Sequence, residues 1–292
     1  MVGKVSLYIP CYNAEQWIGL VIEGVLRQTC VPDEILIIDD GCNDRTSEIA
    51  ALYPIRIIRH GINKGLAAAC NTGVRNSRND LVASVSADVI PDEDWLERLV
   101  ESFDNPNIAL AGGKLREGVL VSGADFWRQA HMPQDWGTER LLNPRFVYGS
   151  NLMLRKKVVE EIGGYKENFR RAGEDVDISA RIRAKGYNTF YEPAAKVTHV
   201  RRDTVHSVMA TYWRWNWFEY DRMRFKSVLG RAVLIHLTNV LGLLRQDVRR
   251  KKYRLLWLDL VALFAMVYFD FRLFIKTMVF PQQQVISEET KG

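Results

Sequence analysis

The sequence predicts an α/β fold in which helices flank a mostly parallel sheet, followed by a helical C-terminal region rich in aromatic and basic residues. Three observations favour this class. Short apolar runs alternate with segments of helical period through the first hundred residues. Two of these runs end directly before carboxylates, as strands do at the ligand-binding edge of an open sheet. After about residue 204 the composition changes to long apolar and aromatic segments.

The first 85 residues predict an alternating order of strand and helix. Residues 4–10 form an apolar run that Pro10 ends, and residues 14–28 carry apolar side chains at helical spacing. Such alternation favours right-handed crossovers between parallel strands. In chain order, the pattern predicts strands over 4–10, 34–38, 55–59 and 81–85, with helices over 14–28, 46–52 and 67–76 between them.

The middle of the chain is harder to assign. Residues 118–143 are rich in polar and aromatic side chains, including Trp127 and Trp136, which favours a substrate-facing insertion over core. Around this stretch the pattern predicts helices over 93–103, 156–162 and 175–184 and strands over 108–112, 146–154, 187–192 and 195–199. The domain boundaries that we expect are 1–204 for the α/β domain, with halves of about 1–112 and 113–204, and 205–292 for the helical region.

The C-terminal region predicts two apolar helices, over 228–244 and 255–280, with a basic cluster between them. The longest uncharged run of the second helix covers only 260–269, between Asp259 and Asp270. A membrane-spanning helix needs about twenty apolar residues. The pattern therefore favours a helix at a membrane surface, while a packed or oligomer-forming helix and a true span stay open. The basic cluster consists of Arg245, Arg249, Arg250, Lys251, Lys252 and Arg254.

Composition restricts the classes of protein that fit. The chain is 47% hydrophobic and 26% charged, as expected of a folded globular protein. A net charge of +5 without a recognised nucleic-acid motif argues against a nucleic-acid partner. The four cysteines lack C-x-x-C spacing, which disfavours a disulfide framework or a zinc site. No secretory signal follows Met1, so we expect a cytoplasmic protein, at the inner face of the cytoplasmic membrane.

Three segments carry carboxylates at regular positions in this pattern. They are residues 38–46 (I-D-D-G-C-N-D-R-T), 85–89 (V-S-A-D-V) and 173–178 (G-E-D-V-D-I). The first two follow predicted strands, so their acids are expected to lie along the crevice where open α/β sheets hold ligands. Gathered carboxylates repel one another unless a cation lies between them. A divalent metal with a phosphate-bearing substrate explains the pattern, and an enzyme is the leading interpretation.

These motifs, taken together and in order, resemble glycosyltransferase family 2, the inverting nucleotide-sugar transferases with the GT-A fold, a Rossmann-like architecture. The resemblance covers roughly residues 5–199, about two-thirds of the chain. Each motif alone is weak, whereas five or more in the right order are specific. The matching segments are I-P-C-Y-N (9–13), the D-D-G-containing segment 38–46, N-K-G (63–65) with C-N-T-G (70–73), the D-x-D position at 85–91, G-G-Y (163–165) and E-D (174–175).

The resemblance implies a nucleotide-sugar site around the first of these acidic segments. Asp40, together with Asp39, is expected to accept a hydrogen bond from the base or ribose, and Tyr12 to pack near the base. Lys64 is expected to offset phosphate charge. A helix-capping role for the two aspartates stays open. The full set of expected donor contacts is Pro10, Tyr12, Asn13, Asp39, Asp40, Lys64, Asn71 and Ser86.

A divalent metal ion, Mg²⁺ or Mn²⁺, is the cofactor that the resemblance implies, with Asp88 and His199 as ligands. Ser86 stands where the family's D-x-D motif has its first acid, so one negative charge is missing. We therefore expect a lower metal affinity. His199 follows a predicted strand and aligns with a histidine that some relatives use as a ligand, while a structural role stays open.

Asp175 is the catalytic base that the resemblance implies, and Glu174 is expected to orient the acceptor or the base. Inversion requires a carboxylate on the face opposite the leaving group, within reach of the acceptor hydroxyl. Because the Glu-Asp pair opens a predicted helix, a capping role stays open as well.

The expected activity is transfer of a sugar, of the hexosyl type, from a nucleotide donor to a hydroxyl acceptor. The C-terminal region points to a lipid-linked saccharide or an envelope polysaccharide precursor as that acceptor. A non-catalytic scaffold that binds nucleotide-sugars is the alternative. A dinucleotide-dependent oxidoreductase is disfavoured, because residues 10–13 (P-C-Y-N) replace the G-x-G-x-x-G turn after the first strand.

Overall fold

The computed structural model describes residues 4–169, 172–221, 230 and 232–279. They fall into two compact units. Unit 1 comprises residues 1–119 and 133–201, and unit 2 comprises residues 120–132 and 202–292. Residues 120–132, which the sequence pattern assigned to the α/β domain, therefore belong with the C-terminal helices.

Unit 1 is built on one mixed sheet, in which nine strands are described. Its order is β3-β2-β1-β4-β8-β6-β9-β5, with β7 paired to β9. Strands β1 to β4 run parallel, whereas β8 runs antiparallel to both β4 and β6. The strands are β1 (Val5–Cys11), β2 (Glu34–Asp39), β3 (Arg56–Arg59), β4 (Leu81–Val85), β5 (Val89–Pro91), β6 (Ile108–Glu117), β7 (Leu141–Leu142), β8 (Asn151–Arg155) and β9 (Asn188–His199).

Ten α-helices are described in the two units together. Unit 1 contains α1 (Ile18–Leu26), α2 (Thr46–Ala50), α3 (Leu66–Asn76), α4 (Trp95–Ser102), α6 (Lys156–Glu161) and α7 (Glu174–Ala184). Unit 2 contains α5 (Gly123–His131), α8 (Val205–Asp221), α9 (Leu237–Arg249) and α10 (Leu256–Val279), with a π-helical turn at Ala232–His236 and a 3₁₀ turn at Tyr253–Leu255.

Helices cover both faces of the sheet, so β1 is apolar along almost its whole length. Leu7 and Ile9 are fully buried against α1 on one face, and Tyr8 is fully buried against α3 on the other. The approach of α3 is close: a Cβ at Gly73 would overlap the ring of Tyr8. Glycine at this position therefore lets α3 lie directly on β1.

Unit 2 is a helical bundle with its own apolar core. Trp127 of α5 is fully buried there, together with Val208, Leu258 and Ala262. The prediction of a substrate-facing insertion over 118–143 is therefore wrong for α5, because its aromatic side chain fills a core. Residues 228, 229 and 231 of the predicted helix 228–244 lie outside the described residues, and so does residue 280 of the predicted helix 255–280. The side chains of residues 217–221 are also outside them.

Two buried carboxylates lie on the core face of α10. Asp259 accepts a hydrogen bond from the indole of Trp127 at 2.8 Å, and Asp270 accepts one from the indole of Trp213 at 2.9 Å. They therefore interrupt the apolar pattern because they face buried donors of the bundle. In the described part of the chain, no helix combines the length and hydropathy needed to cross a bilayer.

Candidate active site

Sheet topology brings the three acidic segments to one edge of unit 1. Strands β2 and β4 both run parallel to β1, so the residues after them emerge at the same edge. With neighbouring strands about 4.8 Å apart, the ends of β2 and β4 lie roughly 10 Å from each other. Because β8 runs antiparallel to β4, the residues just before β8 also lie at this edge.

Asp175 is attached to the same edge by hydrogen bonds. The Ser86 amide donates to the Ser150 carbonyl at 3.0 Å. The neighbouring Gly149 amide donates to Asp175 Oδ2 at 3.1 Å. The second and third acidic segments are thus linked through two adjacent residues of the loop before β8.

Asp39 and Asp40 organise the loops that follow β2 and β3. Asp39 Oδ1 accepts from the Cys42 amide at 2.7 Å, and its Oδ2 accepts from the Ser47 hydroxyl. Despite the opposing effect of burial, these hydrogen bonds hold the pKa of Asp39 below its usual value. Asp40 accepts from the amides of Lys64 and Gly65, both at 2.9 Å.

A buried histidine that the sequence interpretation missed holds Asp40 from the other side. His60 Nδ1 lies 2.7 Å from Asp40 Oδ1, and its Nε2 lies 2.9 Å from the Thr72 hydroxyl. The signal was present, because His60 directly follows β3 and so emerges at the same edge as Asp40. The carboxylate of Asp40 is therefore fixed in place before any ligand binds.

The remaining residues expected to contact the donor differ in how firmly they are held. Pro10 lies within β1, in register with Ile38. Asn13 adopts a left-handed backbone (φ 52°), and its side chain accepts from the Asn43 amide at 3.0 Å. Tyr12 is half-exposed, and Lys64 is exposed. Both are accessible for contact with a nucleotide.

Asn71 holds together two segments of the chain. Its Nδ2 donates to the Tyr165 carbonyl at 2.8 Å and to Glu167 at 2.9 Å, and its Oδ1 accepts from the Tyr165 amide at 2.7 Å. Gly164 has a φ of 72°, and a Cβ there would lie 2.6 Å from Asn71 Oδ1. The two family-like motifs at 70–73 and 163–165 thus form one structural contact, and a contact of Asn71 with the donor stays a prediction.

The candidate metal ligands lie together where the connection from β4 to β5 meets the end of β9. His199 Nε2 is 3.4 Å from Asp88 Oδ2, and Arg201 Nη1 is 3.5 Å from the same oxygen. His199 is buried, and its Nδ1 lies 2.7 Å from Glu117 Oε2. Glu117, at the end of β6, pairs in register with His199 and had no counterpart in the sequence interpretation.

The Glu174-Asp175 pair combines burial with close negative charges. Burial and the charge of Asp175 raise the pKa of Glu174 to about 8. Burial also raises the pKa of Asp175, although the hydrogen bonds from the amides of Gly149 and Val176 act to lower it. Gly173, in the left-handed region with a φ of 97°, turns the chain into α7 immediately before the pair. The carboxylate of Asp175 is partly exposed and has a raised pKa, so it is suited to accept a proton near neutral pH.

Comparison with a family model supplies an independent assignment. The model described as "Glycosyl transferase family 2" matches residues 6–163 of this 292-residue chain, more than half of it. The matched range includes β1 to β4 and the first two acidic segments. It ends before α7.

Named relatives are similar to this chain over about two-thirds of its length. The pre-mycofactocin glycosyltransferase of Mycobacterium tuberculosis is 30% identical over 187 residues, which are 60% of this chain and 39% of that protein. The glucosyl-dolichyl phosphate glucuronosyltransferase of Haloferax volcanii is 26% identical, over 67% of this chain and 69% of that protein. The O-antigen chain rhamnosyltransferase RfbN of Salmonella typhimurium is 26% identical, over 72% and 70%. The chain thus spans well under half of the first of these relatives.

Solved structures share the fold. GalNAc-T7, crystallised with UDP, GalNAc and Mn²⁺, superposes with a TM-score of 0.58 at 18% identity, over 76% of this chain and 50% of that one. TarS of S. aureus gives a TM-score of 0.57 at 14% identity, over 83% and 48%. The prediction of a GT-A-type sheet flanked by helices is confirmed.

Proposed function

The chain belongs to glycosyltransferase family 2, as its motifs predicted, and from this membership we propose that it transfers a sugar from a nucleotide-sugar donor to an acceptor hydroxyl with inversion at the anomeric carbon. The observation that carries the proposal is the Asp175 carboxylate, which Gly149 tethers to the sheet edge where the other two acidic segments lie. Apart from residues 120–132, which group with the C-terminal helices, the domain limits of 1–204 and 205–292, with a donor half of about 1–112 and an acceptor half of about 113–204, remain part of the proposal.

Asp175 acts as the general base in this proposal. Its carboxylate takes the proton from the acceptor hydroxyl as that oxygen attacks the anomeric carbon, while the nucleoside diphosphate leaves from the opposite face. Its raised pKa favours this transfer, because a base with a pKa closer to neutrality holds the proton more strongly. Glu174, with a pKa of about 8, is largely protonated at neutral pH and donates a hydrogen bond to orient the acceptor or Asp175.

The nucleoside part of the donor lies against the ends of β1 and β2. Asp40 accepts a hydrogen bond from the base or ribose, and the half-exposed ring of Tyr12 packs near the base. Because three donors already fix the Asp40 carboxylate, it needs little rearrangement to bind. The exposed side chain of Lys64 offsets phosphate charge.

A divalent metal fits the residues at the Asp88 site. The fit depends on His199. Its Nδ1 donates a hydrogen bond to Glu117, so its Nε2, which faces Asp88, carries the lone pair that a metal ligand needs. Mg²⁺ or Mn²⁺ bound by Asp88 and His199 would neutralise charge on the leaving diphosphate. Arg201 competes for the same Asp88 oxygen and Ser86 adds no charge, so we infer a lower affinity than in a site with two acids.

The acceptor that we propose is a lipid-linked saccharide or an envelope polysaccharide precursor. Two relatives support it by their names, one acting on glucosyl-dolichyl phosphate and the other on an O-antigen chain. An acceptor of this kind lies at a membrane surface, so its transferase gains from binding there. We therefore propose that the protein works at the cytoplasmic face of the membrane.

Unit 2 carries the surface that we propose for membrane contact. The solvent face of α10 exposes large apolar side chains, whereas Asp259 and Asp270 lie on its core face. The basic cluster lies just before this helix, with Arg249, Arg250 and Lys251 exposed. Apolar side chains beside exposed cations are typical of binding to anionic headgroups. The exposed apolar residues are Trp257, Leu260, Phe264, Tyr268, Phe271, Phe274 and Ile275.

The transfer proposal is tested by incubating the full chain with a panel of nucleotide-sugars, Mn²⁺ or Mg²⁺ and candidate acceptors while nucleoside diphosphate release is measured. Release that rises with one donor and acceptor pair is the expected result. Binding of donors without turnover for any pair would favour the scaffold alternative. Asp88→Ala should abolish the metal dependence of donor binding, and an unchanged titration with and without chelator would remove Asp88 from its role.

The membrane proposal is tested by co-sedimentation with vesicles. We expect binding to phosphatidylglycerol vesicles that weakens with salt and no comparable binding to phosphatidylcholine. Each cation near an anionic surface contributes about 1 kcal/mol, so R250Q combined with K251Q should weaken binding roughly 20–30-fold. Equal binding to both vesicle types, or none to either, would contradict the proposal.

A further inference from the structure

A second cluster of ligand-type side chains lies in unit 2, inside the helical bundle. His131 at the end of α5, Asp247 near the end of α9 and Asp259 near the start of α10 offer one ligand atom each within 4.8 Å of one another. All three side chains are fully buried. Within the described residues, no other group of three histidine, cysteine, aspartate or glutamate side chains meets this spacing.

The two distances from His131 to the carboxylates are close to those between ligands of one metal ion. His131 Nε2 lies 3.1 Å from Asp247 Oδ2 and 3.5 Å from Asp259 Oδ1. Zinc binds imidazole nitrogen and carboxylate oxygen at about 2.0–2.2 Å, and tetrahedral ligands at that radius lie roughly 3.4 Å apart. The side chains therefore need little movement to coordinate one ion.

The hydrogen bonding of the cluster is incomplete, which points to a bound species. In the part of the chain that the structure describes, Asp247 Oδ1 and Asp259 Oδ2 are buried and have no hydrogen-bond partner. Buried carboxylate oxygens are normally hydrogen-bonded or bound to a metal. The other Asp259 oxygen accepts from the Trp127 indole, the kind of outer contact that orients a ligating carboxylate.

The charge of the cluster also favours a cation. Two carboxylates and one imidazole are enclosed without contact with water, and an uncompensated buried charge costs several kcal/mol. A dication bound between the three side chains would offset both carboxylates at once.

We propose that His131, Asp247 and Asp259 form a binding site for a divalent transition-metal ion, best fitted by Zn²⁺, that ties α5 to α9 and α10. The three side chains supply three of the four ligands of a tetrahedral ion. The site joins segments more than a hundred residues apart, so the ion stabilises unit 2 by binding only its folded form. It is independent of the candidate metal ligands Asp88 and His199 in unit 1.

A related cluster in the same unit supplies a matched control. Asp270, three helical turns after Asp259 on α10, also accepts from an indole, that of Trp213, and lies 2.8 Å from His236 Nε2. No second carboxylate completes a three-ligand group there among the described residues. Asp270→Asn therefore removes the same kind of buried carboxylate without removing a ligand of the proposed site.

The test uses the full chain, stripped with chelator and titrated with Zn²⁺ alone in the absence of nucleotide. We expect one tight equivalent to bind, in addition to the weaker equivalent held by Asp88 and His199, and the melting temperature to rise. D247N and D259N should each weaken Zn²⁺ binding at least 10-fold, whereas D270N and D88A should leave the affinity unchanged. Wild-type protein that binds no Zn²⁺ and shows no thermal shift would overturn the proposal, because a cluster stabilised by protons alone gives that result. Equal affinity in D259N, or loss of binding in D88A, would overturn it too.

Discussion

Replacing Glu174 with glutamine should stabilise the protein, and the gain should grow with pH. In the folded protein, burial and the charge of Asp175 raise the pKa of Glu174 from 4.5 to about 8. A carboxyl group with a raised pKa binds its proton more tightly in the folded state than in the unfolded chain. The folded state therefore loses stability as the pH rises from about 4.5 towards 8, and the loss is complete above that range.

The size of the effect follows from the same values. Each pH unit in this window costs about 1.4 kcal/mol, which sets an upper limit of about 3 kcal/mol at pH 7. Asp175 shares the repulsion, and glutamine carries its own cost of burial. We therefore expect E174Q to gain about 1–2 kcal/mol at pH 7–8 and almost nothing near pH 4.5. For a domain of this size that is a rise of roughly 2–8 °C in melting temperature.

The assay is thermal melting of wild type and E174Q in matched buffers from pH 5 to pH 8.5. Glu160→Gln is the control, because Glu160 is half-exposed in α6 and, among the described residues, its carboxylate forms one ion pair, with Lys156 at 3.7 Å. Its melting difference should stay within about 1 °C and should not depend on pH. A pH-independent difference for E174Q, or destabilisation at pH 8, would refute the assignment of buried, mutually repelling charge to this pair.

Two further predictions test the supports of the site. Gly164→Ala should lower the free energy of unfolding by about 2–4 kcal/mol, because its Cβ would lie 2.6 Å from Asn71 Oδ1. Gly163→Ala should lower it by about 1–2 kcal/mol, because Gly163 has a similar φ but nothing within 4 Å of the added Cβ. Equal melting temperatures of the two variants would contradict this. Glu117→Gln should weaken Mn²⁺-dependent donor binding about 10–100-fold by releasing the His199 ring, and unchanged calorimetric titrations would argue against this positioning role.

The parts of the fold that local pattern and strand order determine were predictable from the sequence. The parallel strands β1 to β4 occur within one or two residues of their predicted limits, because each is a short apolar run bounded by turn residues. Parallel order then requires Asp40 and Asp88 to emerge at one sheet edge, and the structure has them there. The family assignment, which depends on these same motifs, is confirmed.

Features that depend on long-range pairing were not predictable. The antiparallel insertion of β8 between β4 and β6 joins segments far apart in sequence, and no local pattern encodes it. For the same reason, the sequence did not indicate that Glu117 would contact His199. The polar and aromatic composition of residues 118–143 also gave a wrong prediction for α5, because Trp127 belongs to a core built by helices more than seventy residues away.

The buried polar pairs of the helical bundle were also not predictable from the sequence. Asp259 and Asp270 were interpreted as the charged ends of an apolar run, since a carboxylate in sequence gives no sign of its partner. In the structure each faces an indole donor and a histidine inside the bundle. Burial of a charge depends on which donors the fold assembles around it, and those donors come from other helices.

The central claim is that Asp175 supplies the base for transfer, and the most direct measurement separates donor binding from turnover in Asp175→Asn. The account predicts that donor affinity stays within about threefold of wild type, while transfer falls about 10²–10⁴-fold. Asp177→Asn is the control, because Asp177 lies on the same helix and is paired with Arg181 at 2.6 Å. Both variants should melt as folded proteins. Transfer by D175N at a rate close to that of D177N would contradict the account.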